Sequence, residues 1–352
     1  TYSLTVPNSL PNEKPDIYYI ILDGYGRSDI LQKYYLFDNS DFISYLTQKG
    51  FIVPSNIYSN YAKTSMSVPS TLNLKYIQDI VPGIEDSLFW WLMNPFIQES
   101  YVQSFLKDAG YQTISIATDW DITNNTETDL YFSPFNINLT EFEASLLAKT
   151  QLSIFQPLIS KIAFVPTSKS HRDLVLYNFE TLSKIPNISG SKFVFAHIVA
   201  PHPPFVFDRK GNLIEPDYGF SFNDANDFPG TYEEYRTGYL EQLEFVNIKL
   251  QQTIESILAN SKSPPIIILI ADHGPGMLTD FTSSENTCLE ERFSIFAAFY
   301  LPGLEDNPIP DDITPVNVFR IIFNEYFSTD LPILENRSYY YFDTIKIYHT
   351  ED

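Results

Sequence analysis

The segment Pro265–Pro275, PIIILIADHGP, decides the fold predicted for this chain. Its aliphatic run, Ile266–Ile270, is rich in β-branched residues and is bounded by prolines and glycines, the pattern of a strand buried on both faces of a sheet. Asp272 and His273 follow at the carboxyl end of this strand. Ligands bind at that edge of open α/β sheets, so a carboxylate beside an imidazole there suggests a metal site.

Two other apolar runs also end near candidate ligands. Asp16–Leu22 leads directly into Asp23, and Lys192–Val199 is followed closely by His202. Parallel strands present their carboxyl ends at one edge of the sheet, so we expect these side chains to converge with the Asp-His pair. A mixed set of carboxylate and imidazole ligands suits Zn²⁺ or Mn²⁺.

Each of these residues also has an ordinary structural explanation. An aspartate after a strand commonly forms a turn or caps a helix. His197 lies inside its strand and is interpreted as a hydrogen-bonded core residue, while Arg27 and Lys63 alone are typical of surface charges. The convergence of several ligand types at one sheet edge favours the metal site over these separate explanations.

Helical patterns alternate with the strands along most of the chain. The longest, Thr231–Asn260, carries one apolar stripe, and Thr314–Phe327 has Pro315 at its first position. This alternation predicts an α/β fold with a mostly parallel central sheet, helices on both faces and a small C-terminal α+β extension. The other predicted helices are Ser40–Lys49, Met66–Leu74, Phe96–Ala109, Thr140–Lys149, Ser153–Ala163 and His171–Ile185, and the other predicted strands are Tyr111–Ala117 and Phe293–Leu301.

The composition excludes several classes of partner and site. The 352 residues include 44 acidic and 22 basic side chains, and a net charge of −22 would repel the phosphate backbone of a nucleic acid. Cys288 is the only cysteine, which excludes an intramolecular disulfide and a cysteine-based zinc cluster. No apolar run approaches the roughly 20 residues that span a bilayer. The polar start predicts a linker over residues 1–14, cut from a longer protein with an upstream membrane tether, and a single domain over residues 15–352.

A turn rich in hydroxyl groups, Ser59–Ser65, precedes the helical pattern that starts near Met66. Backbone N–H groups at a helix N-terminus attract anions, so Thr64 on this turn is a candidate for contact with an anionic group.

Four motifs in this order resemble the alkaline phosphatase superfamily, in its sulfatase-like branch that includes lipoteichoic acid synthases and phosphoethanolamine transferases. They are Ile21–Tyr25 (ILDGY), Asn56–Tyr58 followed by Lys63–Ser65, His197–Phe205 (HIVAPHPPF) and Ala271–Gly274 (ADHG), and the resemblance covers most of the chain. It implies the fold of that superfamily and one divalent metal ion, Mn²⁺ or Zn²⁺, with Mg²⁺ and Ca²⁺ as alternatives.

The resemblance also implies roles for individual residues. It implies four ligands for the metal, namely Asp23, Thr64, Asp272 and His273. Thr64 would attack phosphorus as the nucleophile, with the metal stabilising its alkoxide. His202 would contact the phosphoryl oxygens of the substrate or act as the general acid, and Lys63 and Trp120 would also bind the substrate.

The segment Ser67–Thr71, SVPST, resembles the signature from which true sulfatases make formylglycine. It departs from that signature because Thr71 replaces the arginine, and Asp23 is followed by glycine where sulfatases usually have a second aspartate. Both departures favour phosphoryl chemistry with Thr64 as the nucleophile. A second metal would need further ligands, for which Asp119, His202 and His349 are the candidates.

Three functional hypotheses follow. The first is an extracytoplasmic, metal-dependent phosphotransferase or phosphoester hydrolase, the soluble domain of a membrane-anchored bacterial protein, acting on a phospho group of a lipid or glycan. The second is a sulfuric ester hydrolase of the same superfamily. The third is a non-catalytic domain that binds a surface glycan or a partner protein, which the acidic charge and the aromatic content of 16% would suit.

Overall fold

A six-stranded sheet lies at the centre of the described residues. The computed structural model describes residues 14–83, 93–134, 137–138, 163–164, 167–342 and 344–348. The strands of the sheet lie in the order β3-β2-β6-β1-β7-β8. Their bounds are β1 (Ile17–Leu22), β2 (Gln112–Ile116), β3 (Leu130–Phe132), β6 (Lys192–Ile198), β7 (Ile266–Ile270) and β8 (Ala297–Tyr300). Neighbouring strands are parallel except β8, which is antiparallel to β7.

Helices surround this sheet. Every residue of β1, β6 and β7 is buried, so both faces of the central strands are covered. The helices are α1 (Ser28–Tyr35), α2 (Ser40–Gln48), α3 (Thr64–Asn73), α4 (Ile77–Ile80), α5 (Pro95–Gln98), α6 (Tyr101–Asp108), α7 (Ser168–Lys184), α8 (Tyr232–Asn260), α9 (Leu289–Phe293) and α10 (Pro315–Phe327). The predicted mostly parallel α/β fold is therefore confirmed.

Two small strand pairs lie outside the main sheet. β4 (Ile137–Asn138) is parallel to β5 (Ala163–Phe164). β9 (Ser338–Phe342) and β10 (Thr344–Tyr348) form an antiparallel hairpin, which is the predicted C-terminal extension. Among the described residues, no helix combines the length and apolar character required to cross a membrane.

The register of the three central strands determines where the candidate ligands stand. Ile21 of β1 pairs with His197 of β6 on one side and with Ile270 of β7 on the other. Asp23 and Asp272 each follow two residues later, so both carboxylates leave the sheet at the same edge. The convergence predicted from strand direction is present in the fold.

Four predicted elements have clearly different bounds in the structure, and one of them is the helix predicted over His171–Ile185, which begins at Ser168. The helix expected to begin at Met66 begins at Thr64. The segment Phe96–Ala109, predicted as one helix, belongs to two helices, because the Ser100 side chain accepts a hydrogen bond from the Gln103 N–H and caps the start of the second helix. The predicted strand Phe293–Leu301 is shorter, because Phe293 ends helix α9. The helical patterns over 140–149 and 153–162, residues 1–13 of the predicted linker and His349 lie outside the described residues.

Candidate active site

A buried cluster of carboxylates and one imidazole lies at the carboxyl edge of the sheet. Asp23, His197 and Asp272 each offer one ligand atom, and these atoms lie within 4.8 Å of one another. Within the described part of the chain, Asp23 Oδ1, Asp272 Oδ2 and His197 Nε2 have no hydrogen-bond partner. Burial of an unpaired carboxylate oxygen is costly, and a divalent cation supplies the partner that such a donor set lacks. The cluster therefore fits a metal ion.

His273 and Thr64 extend this cluster. His273 Nε2 lies 3.4 Å from Asp23 Oδ1 and 3.5 Å from Asp272 Oδ2, and Thr64 Oγ1 lies 3.2 Å from His273 Nε2. Ligands held tetrahedrally at about 2.1 Å from a zinc ion are about 3.4 Å apart. The structure thus places His273 Nε2 at about this spacing from each of the other three residues that the sequence predicts as metal ligands, Asp23, Thr64 and Asp272.

The protonation of His273 also suits metal binding. Its Nδ1 lies 2.9 Å from the carbonyl oxygen of Gly274, and a hydrogen bond donated there leaves Nε2 with a free lone pair. Burial lowers the pKa of His273, and the positive charge of Arg292 lowers it further. A neutral imidazole is the form that binds a metal.

Trp120 and His197 hold Asp23 from the other side. The indole Nε1 of Trp120 donates to Asp23 Oδ2 at 3.0 Å, and His197 Nε2 lies 3.3 Å from the same oxygen. His197 Nδ1 is hydrogen-bonded to Thr123 Oγ1 at 2.7 Å, as expected for a core histidine. His197 is therefore both a core residue and a member of the cluster, a position that its place inside a strand did not indicate.

The charge state of Asp23 depends on its burial and on the histidines that face it. Burial alone would raise the pKa of its carboxyl, but the facing histidines, His202 first among them, outweigh burial and hold the pKa below its usual value. Asp23 is therefore ionised, which is the form that a metal ion requires.

Helix α3 determines which hydroxyl group faces the site. Thr64 is its first residue, and its side chain lines the cavity over the metal cluster. Ser67 and Ser70 of the sulfatase-like SVPST segment are buried in the body of the helix, and Ser70 donates to the Lys75 carbonyl. Neither serine is among the residues that line the cavity.

The cavity above the cluster has a volume of about 340 Å³. Its lining combines polar and charged side chains with several aromatic rings. Burial and the nearby Arg292 lower the pKa of Lys63 to about 8, and its Nζ lies 4.6 Å from the ring centre of Phe281. The lining residues are Lys63, Thr64, Ser65, Trp120, Ile122, His202, Phe222, Asn223, Asp224, Asp227, His273, Phe281 and Arg292.

His202 faces this cavity from the start of the segment that links β6 to α8. Its Nδ1 lies 2.5 Å from the Pro203 carbonyl oxygen, and its Nε2 lies 3.7 Å from Asp224 Oδ2. Its backbone N–H donates to the Asp23 carbonyl oxygen at 3.0 Å, which ties the predicted general acid to a predicted ligand.

Asp224 and Arg292 are among the residues of the site that are absent from the sequence-based prediction. Asp224 lies in a proline- and glycine-rich segment without periodicity, and Arg292 lies in the short helix α9. No local pattern marks either one. Asp119, a candidate ligand for a second metal, instead lies 2.5 Å from His171 Nδ1 through its Oδ2.

Comparison with protein-family models matches residues 15–308 to the Sulfatase model. The chain belongs to the Sulfatase family. The resemblance to the sulfatase-like branch of the alkaline phosphatase superfamily is thereby confirmed. Enzymes of this family are hydrolases or transferases of phosphoryl or sulfuryl esters and use a divalent metal ion. No curated protein matches the chain significantly in sequence.

Solved structures share the fold of this Sulfatase-family chain. The C-terminal periplasmic domain of EcEptC from Escherichia coli superposes with a TM-score of 0.59 at 13% identity, over 97% of this chain and 94% of that domain. The corresponding domain of the phosphoethanolamine transferase EptC from Campylobacter jejuni gives 0.54 at 11% identity, over 92% of each chain. The phosphonate monoester hydrolase of Agrobacterium radiobacter gives 0.57 at 11% identity, over 93% of this chain and 80% of that one. At these identities the similarity establishes the fold alone.

Proposed function

We propose that this Sulfatase-family chain is a metal-dependent phosphotransferase or phosphoester hydrolase that uses Thr64 as its nucleophile. One observation carries the proposal. Thr64 Oγ1, at the N-terminus of α3 and on the wall of the cavity, lies 3.2 Å from His273 Nε2 and beside two buried carboxylates with unpartnered oxygens. A hydroxyl group in that place can be both a metal ligand and a nucleophile.

The residues that would hold the ion are Asp23, Thr64, Asp272 and His273. A divalent ion bound there supplies positive charge that favours the ionised hydroxyl and offsets the negative charge of the phosphoryl oxygens. Trp120 fixes the orientation of Asp23 through its hydrogen bond to Oδ2, and the Gly24 N–H donates to Asp272 Oδ1 at 3.3 Å, so the other oxygen of each carboxylate is left for the ion.

The remaining steps fall to side chains of the cavity. In the transfer, the hydroxyl group of Thr64 releases its proton to solvent, and its oxygen forms a bond to phosphorus as the bond from phosphorus to the leaving oxygen breaks. His202 Nε2 gives a proton to that oxygen, because Nδ1 is engaged with Pro203 and Nε2 faces the cavity. The backbone N–H groups at the start of α3 and the ammonium group of Lys63 stabilise the negative phosphoryl oxygens. Water or an alcohol then gives a proton to His202 Nε2 and forms a bond to phosphorus as the bond from phosphorus to Thr64 Oγ breaks.

The substrate that we propose is a phospho group carried by a lipid or a glycan outside the cytoplasm. The solved structures that share the fold include periplasmic domains of phosphoethanolamine transferases, one of them a complex with Zn. Trp120, Phe222 and Phe281 give the cavity an apolar wall suited to the organic part of such a substrate. We propose Zn²⁺ or Mn²⁺ as the ion.

Hydrolysis of sulfuric esters is the second candidate, because the family model and several of the similar structures are sulfatases. The buried positions of Ser67 and Ser70 support phosphoryl transfer over this alternative, since neither could present a formylglycine to the cavity. The third candidate, a non-catalytic binding domain, would require that the metal-loaded protein turn over no ester at all.

The test compares Thr64→Ala and Thr64→Ser with the parent protein after removal of metal by a chelator and reloading with Zn²⁺ or Mn²⁺. The substrates are p-nitrophenyl phosphate, bis-p-nitrophenyl phosphate and p-nitrophenyl sulfate. We expect Thr64→Ala to lower turnover of a phosphate ester by a factor of about 10³ or more, and Thr64→Ser to retain part of the activity. Thr47→Ala, at an exposed threonine of α2, is the matched control and should leave turnover unchanged.

Each outcome of this test assigns one candidate. Turnover of phosphate esters that depends on Thr64 and on the metal supports the proposal. Turnover confined to the sulfate ester would assign the sulfatase alternative. Full phosphoesterase activity in Thr64→Ala would refute the nucleophile, and a metal-loaded protein inert toward all three esters would assign the binding domain.

A further inference from the structure

Arg292 joins three segments of the candidate active site that are far apart in the sequence. Its guanidinium is buried, with 1% of the residue exposed. Nε donates to the Ala62 carbonyl oxygen at 2.8 Å, and Nη1 donates to the Gly274 carbonyl oxygen at 3.0 Å and to Asp224 Oδ2 at 2.8 Å. The proposed chemistry assigns no role to this side chain.

Each acceptor of Arg292 is next to a residue of the proposed reaction. Ala62 lies two residues before Thr64 on the same turn. The Gly274 carbonyl also takes the hydrogen bond from His273 Nδ1, and the Gly274 N–H donates back to the Arg292 carbonyl at 2.7 Å. One guanidinium therefore connects the turn that bears the nucleophile to the turn that bears a predicted ligand.

The third acceptor, Asp224, connects this network to the predicted general acid. Its Oδ2 lies 3.7 Å from His202 Nε2, and its Oδ1 accepts a hydrogen bond from the Tyr235 hydroxyl at 2.8 Å. A Cβ on Gly276 would lie 2.4 Å from Asp224 Oδ1, so the close approach of the two segments requires glycine at that position. Asp224 is thus fixed on several sides beside His202.

We propose that Arg292 and Asp224 are positioning residues of this site. Arg292 holds the Thr64 turn and the His273 turn in one arrangement, and Asp224, whose Oδ2 lies 3.7 Å from His202 Nε2, holds the imidazole ring in its place beside the cavity. The inference rests on the function proposed for Thr64 and His202. Lysine cannot replace Arg292 in this role, because a single ammonium group lacks the planar fork that reaches acceptors in several directions.

The expected effect is on the rate of the chemical step. A displacement of about 1 Å in a reacting group can lower the rate about 100-fold, so we expect a loss in kcat of that order in Arg292→Ala and in Arg292→Lys, with little change in KM. Added guanidinium ion at non-denaturing concentration should restore part of the kcat of Arg292→Ala.

Arg320 offers a matched control. It is buried like Arg292, with 3% exposed, and donates to the carbonyl oxygens of Leu74 and Pro332, but it does not line the cavity. Arg320→Ala should lower thermal stability without a comparable loss of kcat, and guanidinium should not raise its turnover. An equal loss of kcat in the two variants, or a loss in Arg292→Ala confined to KM, would overturn the role of Arg292.

Hydrogen exchange measured by mass spectrometry tests the same role without activity. In Arg292→Ala we expect amides of residues 61–67 and 272–276 to exchange about fivefold faster or more, the protection that one ordinary hydrogen bond supplies. In Arg320→Ala these two segments should exchange as in the parent. Because this readout needs no substrate, it decides the role of Arg292 even if Thr64→Ala were to show that the nucleophile is wrong. Unchanged exchange in Arg292→Ala would refute the role of Arg292 and would leave the function proposed for Thr64 unaffected.

The role of Asp224 has its own test. Asp224→Asn should lower kcat more for alkyl phosphate esters, whose leaving group needs a proton, than for p-nitrophenyl esters, whose leaving group departs as an anion. Equal losses for both classes of ester would show that Asp224 does not act through His202.

Discussion

Glu291, next to Arg292, provides a test of the electrostatics around the site that is independent of catalysis. Its carboxyl group is fully buried, accepts a hydrogen bond from the Tyr35 hydroxyl at 2.6 Å and accepts another from the Leu278 N–H at 2.8 Å. Burial raises the pKa of Glu291 from 4.5 to about 8. The folded protein therefore holds a proton at neutral pH that the unfolded chain has released.

The sign of the effect follows from proton linkage. Between pH 4.5 and about 8 the folded state binds more protons than the unfolded state, so the free energy of unfolding falls as the pH rises through this interval. Below it both states are protonated, and above it both are ionised. A tenfold change in an ionisation constant is worth about 1.4 kcal/mol, so the change from pH 5 to pH 9 amounts to about 4 kcal/mol.

Glu291→Gln removes this titration and keeps the shape of the side chain. We expect the difference in the free energy of unfolding between Glu291→Gln and the parent to shift in favour of the variant by about 4 kcal/mol from pH 5 to pH 9. Urea unfolding at several pH values and a fixed metal concentration measures it. Glu290→Gln is the control, because Lys33 and Tyr34 lower the pKa of Glu290 and the trend should not appear there. Parallel stabilities of Glu291→Gln and the parent across this range would refute the reasoning.

Two further substitutions test the geometry of the proposed metal site. In Gly274→Ala the new Cβ would lie 2.0 Å from the Glu291 carbonyl oxygen, so the turn after His273 must shift. We expect the free energy of unfolding, measured with urea, to fall by about 3 kcal/mol or more, and elemental analysis to show reduced metal retention. Unchanged stability and metal content would contradict the packing at this turn. Trp120→Phe removes the hydrogen bond to Asp23 Oδ2 but keeps an aromatic ring in the wall of the cavity. We expect kcat/KM to fall about tenfold or more, because a hydrogen bond to a charged group is lost. Equal kcat/KM in the parent and the variant would show that the indole N–H does not orient Asp23.

The meeting of Asp23 and Asp272 at one edge of the sheet was predictable because its signals are local. The runs of β-branched residues before Asp23 and Asp272 mark buried strands, and parallel strands bring their carboxyl ends together whatever the rest of the chain does. The start of α3 was placed two residues late, because Thr64 and Ser65 have side chains that favour turns and caps over helix interiors. Their actual place in the first turn brings Thr64 closer to the helix N-terminus than the sequence indicated.

The second half of the site was not predictable from local patterns. Asp224 lies beside His202 because its segment packs against Gly276. Arg292, about 70 residues further along the chain, donates a hydrogen bond that holds Asp224 there. His197 was predicted as a core residue from its place inside a strand, but the register with β1 also turns its ring toward Asp23. Contacts of this kind depend on tertiary packing and leave no periodicity in the sequence.

The order of strands in the sheet has a consequence for how this protein is made. β1 lies between β6 and β7, so that Ile17 pairs with Phe193 on one side and with Ile266 on the other. β1 therefore precedes β6 by about 170 residues and β7 by about 240 residues. Until both have been synthesised, the backbone N–H and C=O groups on its two edges lack their partners and its apolar side chains are uncovered. Such long-range pairing makes folding slow and exposes the nascent chain to aggregation. The proposed metal site is complete only after β7 has joined the sheet, because Asp272 and His273 follow that strand. We therefore expect metal uptake to follow folding, and binding of the ion to be a late marker of a correctly folded chain.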